Sequence, residues 1–228
     1  MSYHRLFLFP YYFFMVTIKK FVFNPFSENT YVVFDENNTA VIIDPGMYYS
    51  EEEKIIDDFI SKNDLELKAI IHTHSHLDHM FGTAHLSDKY QLSPYLFEKD
   101  FETYKNFERV CEMYGIPIRN KPTENLQFIN LNQELVFGQV KFNVRYVPGH
   151  APGHIVLVNS ATNSVINGDC LFYESIGRTD LPGGNHNLLL DSIRKELFTL
   201  PKETKVYCGH GPETSIGHEI LNNPFLNY

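Results

Sequence analysis

The sequence has no tryptophan and only three cysteines, Cys111, Cys170 and Cys208, widely spaced and without a Cys-x-x-Cys pair. An odd, scattered set excludes a disulfide framework and fits reduced thiols in a reducing, cytoplasmic compartment. Positive charge is also scarce. The 19 Lys and Arg stand against 28 Asp and Glu, giving a formal net charge of -9, and no basic run occurs. Phosphate binding relies on clustered Lys and Arg, so no nucleic-acid partner is expected. No apolar run is long enough to span a bilayer, because the Phe- and Tyr-rich start, Met1 to Phe14, is short and broken by Pro10. Internal repeats and low-complexity linkers are absent too. What these absences leave open is a protein that acts on a small molecule, with its oligomeric state undetermined.

A hydrophobic content of 43% across 228 residues supplies a sizeable core, and α/β chains of this length commonly form one domain. Residues 1–15 are expected to be an N-terminal extension outside the fold, with a single domain over 16–228. Strands are predicted at Val16 to Phe23, Thr30 to Asp35 and Thr39 to Ile43. Ser50 with Glu53 reads as a capping box for a helix carrying Ile55, Ile56, Phe59 and Ile60 on one face. A strand to Ile71, a helix from Met80 to Tyr90 and a strand near Pro94 to Phe97 follow. Lys99 to Tyr114 reads as one charged helix. Beyond it, Arg119 and Lys121 lie between prolines, as in a rim or lid, or in a solvated surface loop. Strands resume at Val140 to Val147, Ile155 to Val158 and Ser164 to Ile166. An amphipathic helix through Leu189, Ile193, Leu197 and Leu200, a strand from Lys205 to Tyr207 and a short tail complete the pattern.

Thr73-His74-Ser75-His76-Leu77-Asp78-His79 follows the apolar run Leu67 to Ile71. It places His74, His76, Asp78 and His79 where a buried strand gives way to a loop. In an extended segment His74 and His76 project to the same side, and the turn can aim Asp78 and His79 at a second point nearby. Read alone, such a stretch is equally a metal-scavenging surface tract. Three more candidates sit where predicted strands end, each preceded by glycine: His150, Asp169 and His210. Glycine permits the sharp turn and the close backbone approach that a donor in a site requires. Imidazole and carboxylate donors suit Zn²⁺, Fe and Mn²⁺.

The pieces Thr73 to His79, Pro148-Gly149-His150, Gly168-Asp169-Cys170-Leu171-Phe172, Gly177-Arg178-Thr179-Asp180 and Cys208-Gly209-His210-Gly211 resemble the metallo-β-lactamase-fold superfamily. Within it they are similar to the glyoxalase II-like hydrolases. The resemblance covers roughly residues 16 to 226. It implies a four-layer αββα sandwich, two mixed sheets flanked by helices, with a metal site at one sheet edge. It also implies two divalent ions, zinc first, with iron or manganese as the other choices. His74, His76 and His150 would hold one ion, Asp78, His79 and His210 the other, and Asp169 would bridge them. Two ions sharing a water lower its pKa toward ~7 and so make hydroxide available for attack on an ester-like carbonyl. Asp78 is the expected proton acceptor, Arg178 the expected substrate contact, and Asp44, in Asp-Pro-Gly, the expected support of a donor imidazole. His154 is expected to hydrogen-bond structurally.

The implied activity is hydrolysis of a thioester. A mononuclear iron persulfide dioxygenase, using His74, His150 and Asp169, and a lactonase or other ester hydrolase are the alternatives on the same fold. The tyrosine of the glutathione-using enzymes corresponds to Asp180 here, and 18 residues follow His210. No C-terminal helical domain of the kind that grips glutathione is therefore expected.

Overall fold

The computed structural model describes residues 15–131 and 133–227; the segment read as an extension falls almost wholly outside them. The first sheet takes its strands in chain order: β1 (Val16–Phe23), β2 (Glu28–Asp35), β3 (Thr39–Ile43), β4 (Glu66–Ile71), β5 (Tyr95–Phe97) and β6 (Gln127–Ile129). β1 to β3 pair antiparallel, and β3 to β6 pair parallel. The rest of the chain supplies β7 (Glu134–Phe137), β8 (Val140–Tyr146), β9 (Ile155–Asn159) and β10 (Ser164–Gly168). A small hairpin of β11 (Leu171–Phe172) and β12 (Ser175–Ile176) follows, then β13 (Lys205–Cys208) and β14 (Thr214–Ser215). The second sheet is ordered β14-β13-β10-β9-β8-β7 and is likewise mixed, with a parallel β10–β13 pair.

Strand alternation builds the layers. On β3, Val41 and Ile43 face the second sheet and pack with Phe142, Val144, Leu157 and Ile166. Ala40 and Ile42 face the other way, against α1 (Ser50–Lys62) and α2 (Thr83–Tyr90) through Ile56, Ile60 and Leu86. α3 (Phe101–Lys105) and α4 (Phe107–Tyr114) close one end of the first sheet, where Tyr104, Phe107 and Cys111 meet Leu77, Met80 and Leu96. The outer face of the second sheet, Val156, Val158, Val165 and Val206, is covered by α5 (His186–Ser192), its continuation Ile193–Leu197, and the start of α6 (Ile216–Asn222). The expected αββα layering is what the chain adopts. Each fully buried aliphatic side chain contributes roughly 1.5–3 kcal/mol, against about 1 kcal/mol for a typical hydrogen bond. The sandwich is therefore the frame, and the loops at its edge are positioned by it.

Several local expectations shift. The helix cap is Tyr49, and Glu52 rather than Glu53 reaches back to the N–H groups of Tyr48 and Tyr49, because Ser50 already lies inside α1. Leu77–His79 is a single 3-10 turn, and α2 begins only at Thr83, since the chain bends there to deliver Asp78 and His79. The single helix expected over Lys99 to Tyr114 is broken at Asn106, whose side chain bonds back to the Glu102 carbonyl. The tail contains β14 and α6. β6 and β7 went unread, being short strands in a stretch with little periodicity.

Candidate metal centre

The ligand-type residues arrive on loops from both sheets. The first loop leaves β4; the loop after β8 carries His150, the end of β10 carries Asp169, and the end of β13 carries His210. Backbone bonds tie these loops together: Ile155 N–H to the Thr73 carbonyl (2.9 Å) and Asn29 N–H to Gly209 (2.7 Å) cross between the sheets, and Gly209 N–H to Gly168 (2.7 Å) joins two strand ends of the second. Glycine is required at two of these junctions. Gly168 is left-handed (φ +52°), and a Cβ there would collide with Thr73 and His154. A Cβ on Gly209 would strike the Asp169 carboxylate and the His79 ring.

Two clusters result. One donor atom from each of His74, His76 and His150 lies within 4.8 Å of the others, and the same holds for Asp78, His79 and His210. His74 Nε2 faces His150 Nε2 at 3.3 Å. Asp78 Oδ2 is 3.1 Å from His210 Nε2 and 3.7 Å from His79 Nε2. Asp169 reaches both clusters, with Oδ2 3.7 Å from His150 Nε2 and 3.5 Å from His210 Nε2, and Oδ1 3.5 Å from His79 Nε2.

Partners on the far side of each ring fix the tautomers. His150 Nδ1–H donates to the Arg178 carbonyl (2.8 Å) and His210 Nδ1–H to the Phe26 carbonyl (3.1 Å). His79 Nδ1 points at Asp44 Oδ2 (3.2 Å). The Thr73 hydroxyl donates to Asp44 Oδ2 (2.6 Å), so its oxygen is left to accept from His74 Nδ1 (3.1 Å). Four imidazoles thus carry their hydrogen outward and turn an Nε2 lone pair toward a common space. Asp44 also accepts from Thr73 N–H at 2.7 Å, and it holds this position from a left-handed backbone (φ +49°) that Asp tolerates better than most residues. Asp44, His74 and His79 form a third close trio. Its carboxylate is already engaged by Thr73 and His79, which makes it the outer support of the clusters.

Lone pairs facing one another need a cation between them. His79 Nε2 and Asp169 Oδ1 are buried without a hydrogen-bond partner, and such orphans are costly unless something positive satisfies them. Burial disfavours charge on His79, but the Asp169 and Asp78 carboxylates outweigh it and push its pKa well above the ordinary imidazole value. Burial, followed by the neighbouring His150, lowers His76 to about 3. Asp169 is driven the opposite way from a typical buried acid: burial would raise it, yet His79 and His210 hold it well below the carboxylate range. The carboxylate field that favours positive charge beside His79 would equally favour a metal ion, and a donor set of nitrogens and oxygens fits a divalent one.

Other predicted residues fall around this centre. His154 Nε2 accepts from Asp169 N–H at 3.1 Å. The Arg178 side chain lines the cleft above the donors, where its guanidinium is paired with Asp180. His72 is buried behind the first loop, with Nε2 3.2 Å from the Thr83 hydroxyl.

Sequence reading missed three supports. Asp100, fully buried, receives Ser75 N–H (2.5 Å) on one oxygen and Gly153 N–H (2.9 Å) on the other, joining the first and second donor loops. The Asn24 side-chain amide donates to the carbonyls of Gly46 and Asp78, each at 2.9 Å. Glu28, fully buried, sits 3.9 Å from His79 Nδ1 and bonds the Thr30 hydroxyl. None has a spacing signal, since each acts on a loop distant in the chain. An acid or amide beside a turn was the only clue.

A mixed αββα sandwich with a His/Asp donor cluster at its edge defines a metallo-hydrolase of the metallo-β-lactamase type. The family model described as the metallo-beta-lactamase superfamily matches residues 23–210, and the chain belongs to that superfamily. It is 34% identical over 203 residues to the hydroxyacylglutathione hydrolase GloC of Haemophilus influenzae, covering 89% of this chain and 94% of that protein. Among solved structures it is similar to the B3 metallo-beta-lactamase BLEG-1 (TM-score 0.83, 34% identity, 93% of this chain and 100% of that one). TTHA1623 in a di-iron-bound form is also similar (TM-score 0.81, 34% identity, 91% of this chain and 100% of that one). No helix among the described residues is long and apolar enough to cross a membrane.

Proposed function

We propose that residues 16–228 form one domain that hydrolyses a thioester or related ester bond with two divalent ions, zinc first among the candidates. His74, His76 and His150 would hold one ion, and Asp78, His79 and His210 the other. The observation that carries this reading is Asp169, whose two oxygens lie 3.5–3.7 Å from imidazole nitrogens of both clusters. The GloC likeness and the di-iron neighbour support it.

When bound, such ions supply a water acidified toward neutral pH and an electrophile for a carbonyl oxygen. The chain's own residues do the rest. Asp44 and the carbonyls of Phe26 and Arg178 keep the imidazoles in one tautomer and orientation. Asp78 would be the proton acceptor; burial would raise its carboxyl, but His79 and His210 hold it below its ordinary value, which keeps it ionised and makes it a weak base. A thiolate leaves without much protonation, so a thioester asks less of the groups around the donors than an alkyl ester does. The three cysteines are free and buried, which supports a reducing, cytoplasmic setting.

Metal stoichiometry of the purified protein, combined with a panel of thioester, lactone, β-lactam and glutathione persulfide, tests the reading. Two ions per chain with thioester turnover is the expected result. One iron per chain with oxygen uptake on the persulfide would instead assign the dioxygenase reaction, for which His74, His150 and Asp169 would suffice. His74→Ala should lose metal and activity together, with turnover falling to background. Activity surviving that change would place the chemistry elsewhere.

A further inference from the structure

The donors form the floor of a cavity of about 850 Å³ lined by His76, Asp78, His150, Asp169 and His210. Its upper walls are of a different character. α4 contributes Phe107, Val110, Met113 and Tyr114, and the facing loop contributes Leu181 and Pro182. Met113 is 73% exposed and Tyr114 48% exposed. Large apolar side chains gathered on one cleft, rather than scattered over the surface, mark a place where something apolar binds. Floor and wall share a residue: the Phe26 carbonyl anchors His210, while its ring meets Tyr114 edge-on at 6.5 Å.

Charge in this cavity is muted. Above the donors its charged lining residues are Glu102, Arg109 and Arg178. Arg178 is already paired, although both partners are exposed. Its Nε and NH2 donate to the two oxygens of Asp180, both at 2.7 Å, a bidentate fork that uses the geometry Arg offers to a substrate carboxylate.

We propose that this cavity receives an uncharged, apolar acyl chain and that Asp180 is a specificity determinant, neutralising Arg178 so that an anionic thiol half gains nothing there. The names acyl chain and thiol half rest on the thioester reading above; the preference of the cavity for an apolar, uncharged group does not. Calorimetry with non-hydrolysable 2-oxoalkyl thioethers separates the two. One series carries N-acetylcysteamine and acyl chains of increasing length; the other carries glutathione with the same chains.

In the neutral series the Kd should fall about fourfold per added methylene until the cavity is filled. The glutathione analogue should bind no tighter than its neutral counterpart. Met113→Glu, at an exposed position, should weaken the longest neutral probe at least tenfold and leave the shortest unchanged. Asp180→Asn should tighten the glutathione series severalfold without affecting the neutral one. Affinity independent of chain length, or insensitive to Met113→Glu, would overturn the assignment of the cavity. A glutathione series favoured by the unmodified protein, or unmoved by Asp180→Asn, would overturn the role of Asp180. Chain-length dependence in a protein that hydrolyses no thioester would sink the hydrolase reading alone, and thioester turnover with flat affinities would sink the cavity assignment alone.

Discussion

Floor and wall of one cavity are built on opposite principles. On the floor, four imidazoles have their outward nitrogen fixed by a carbonyl, carboxylate or hydroxyl, and the loops carrying them are bonded to one another. On the wall, Val110, Met113 and Tyr114 project from an eight-residue helix anchored by its buried Phe107 and Cys111. The floor specifies directions, because donors must converge within a few tenths of an ångström to share a cation. The wall specifies only volume and polarity, because dispersion contacts are non-directional. Substitution should therefore be felt sharply below and gradually above.

The largest effect expected from a residue that touches no ion is at Asp44. Asp44→Asn keeps the shape but weakens the support of both His79 and Thr73, and should cost 10–100-fold in metal affinity, the usual range for an outer partner. Metal titration against a chelator reads it, and an unchanged affinity would show that the floor is less strictly built than its hydrogen bonds suggest. Asp100→Ala comes next. It leaves the buried N–H groups of Ser75 and Gly153 without an acceptor and should lower stability by about 3 kcal/mol in urea unfolding. A loss near zero would mean that the two donor loops hold their positions without this tie.

The smallest effect belongs to a control remote from floor and wall alike. Burial would raise the Asp57 carboxyl, but Lys89 and His85 outweigh it and its pKa is lowered. A depressed folded-state pKa gives stability that is present above the unfolded value of ~3.9 and is lost as pH falls through the lower folded one. Asp57→Asn should therefore lower the melting temperature slightly at neutral pH, by less than the equivalent of about 1 kcal/mol. The difference from the unmodified protein should shrink as the pH falls below the unfolded value of ~3.9 and through the lower folded one.

The same contrast explains what the sequence disclosed. His74, His76, Asp78 and His79 announced themselves because a donor loop needs particular residue types at fixed spacing. His150, Asp169 and His210 could be added because a glycine preceded each at a strand end, and the structure brings all seven together. The strands were legible because short apolar runs such as Thr39–Ile43 read as buried on both faces, but the αββα layering was implied only by the family resemblance. The wall was not legible. Phe107, Val110 and Met113 on a helix read equally well as core or surface, and the break at Asn106 hides in a run of charged residues. Asp100 and Asn24 stayed silent because their partners, Gly153 and Asp78, are 53 and 54 positions away.

The bond from Ile155 N–H to the Thr73 carbonyl runs from a strand of the second sheet to the loop leaving the first. A denaturant that prises the two halves apart must cut that seam, and cutting it scatters the imidazoles. Release of bound ions and collapse of the tertiary structure should then be one cooperative event, with chelators and heat acting as two handles on the same transition.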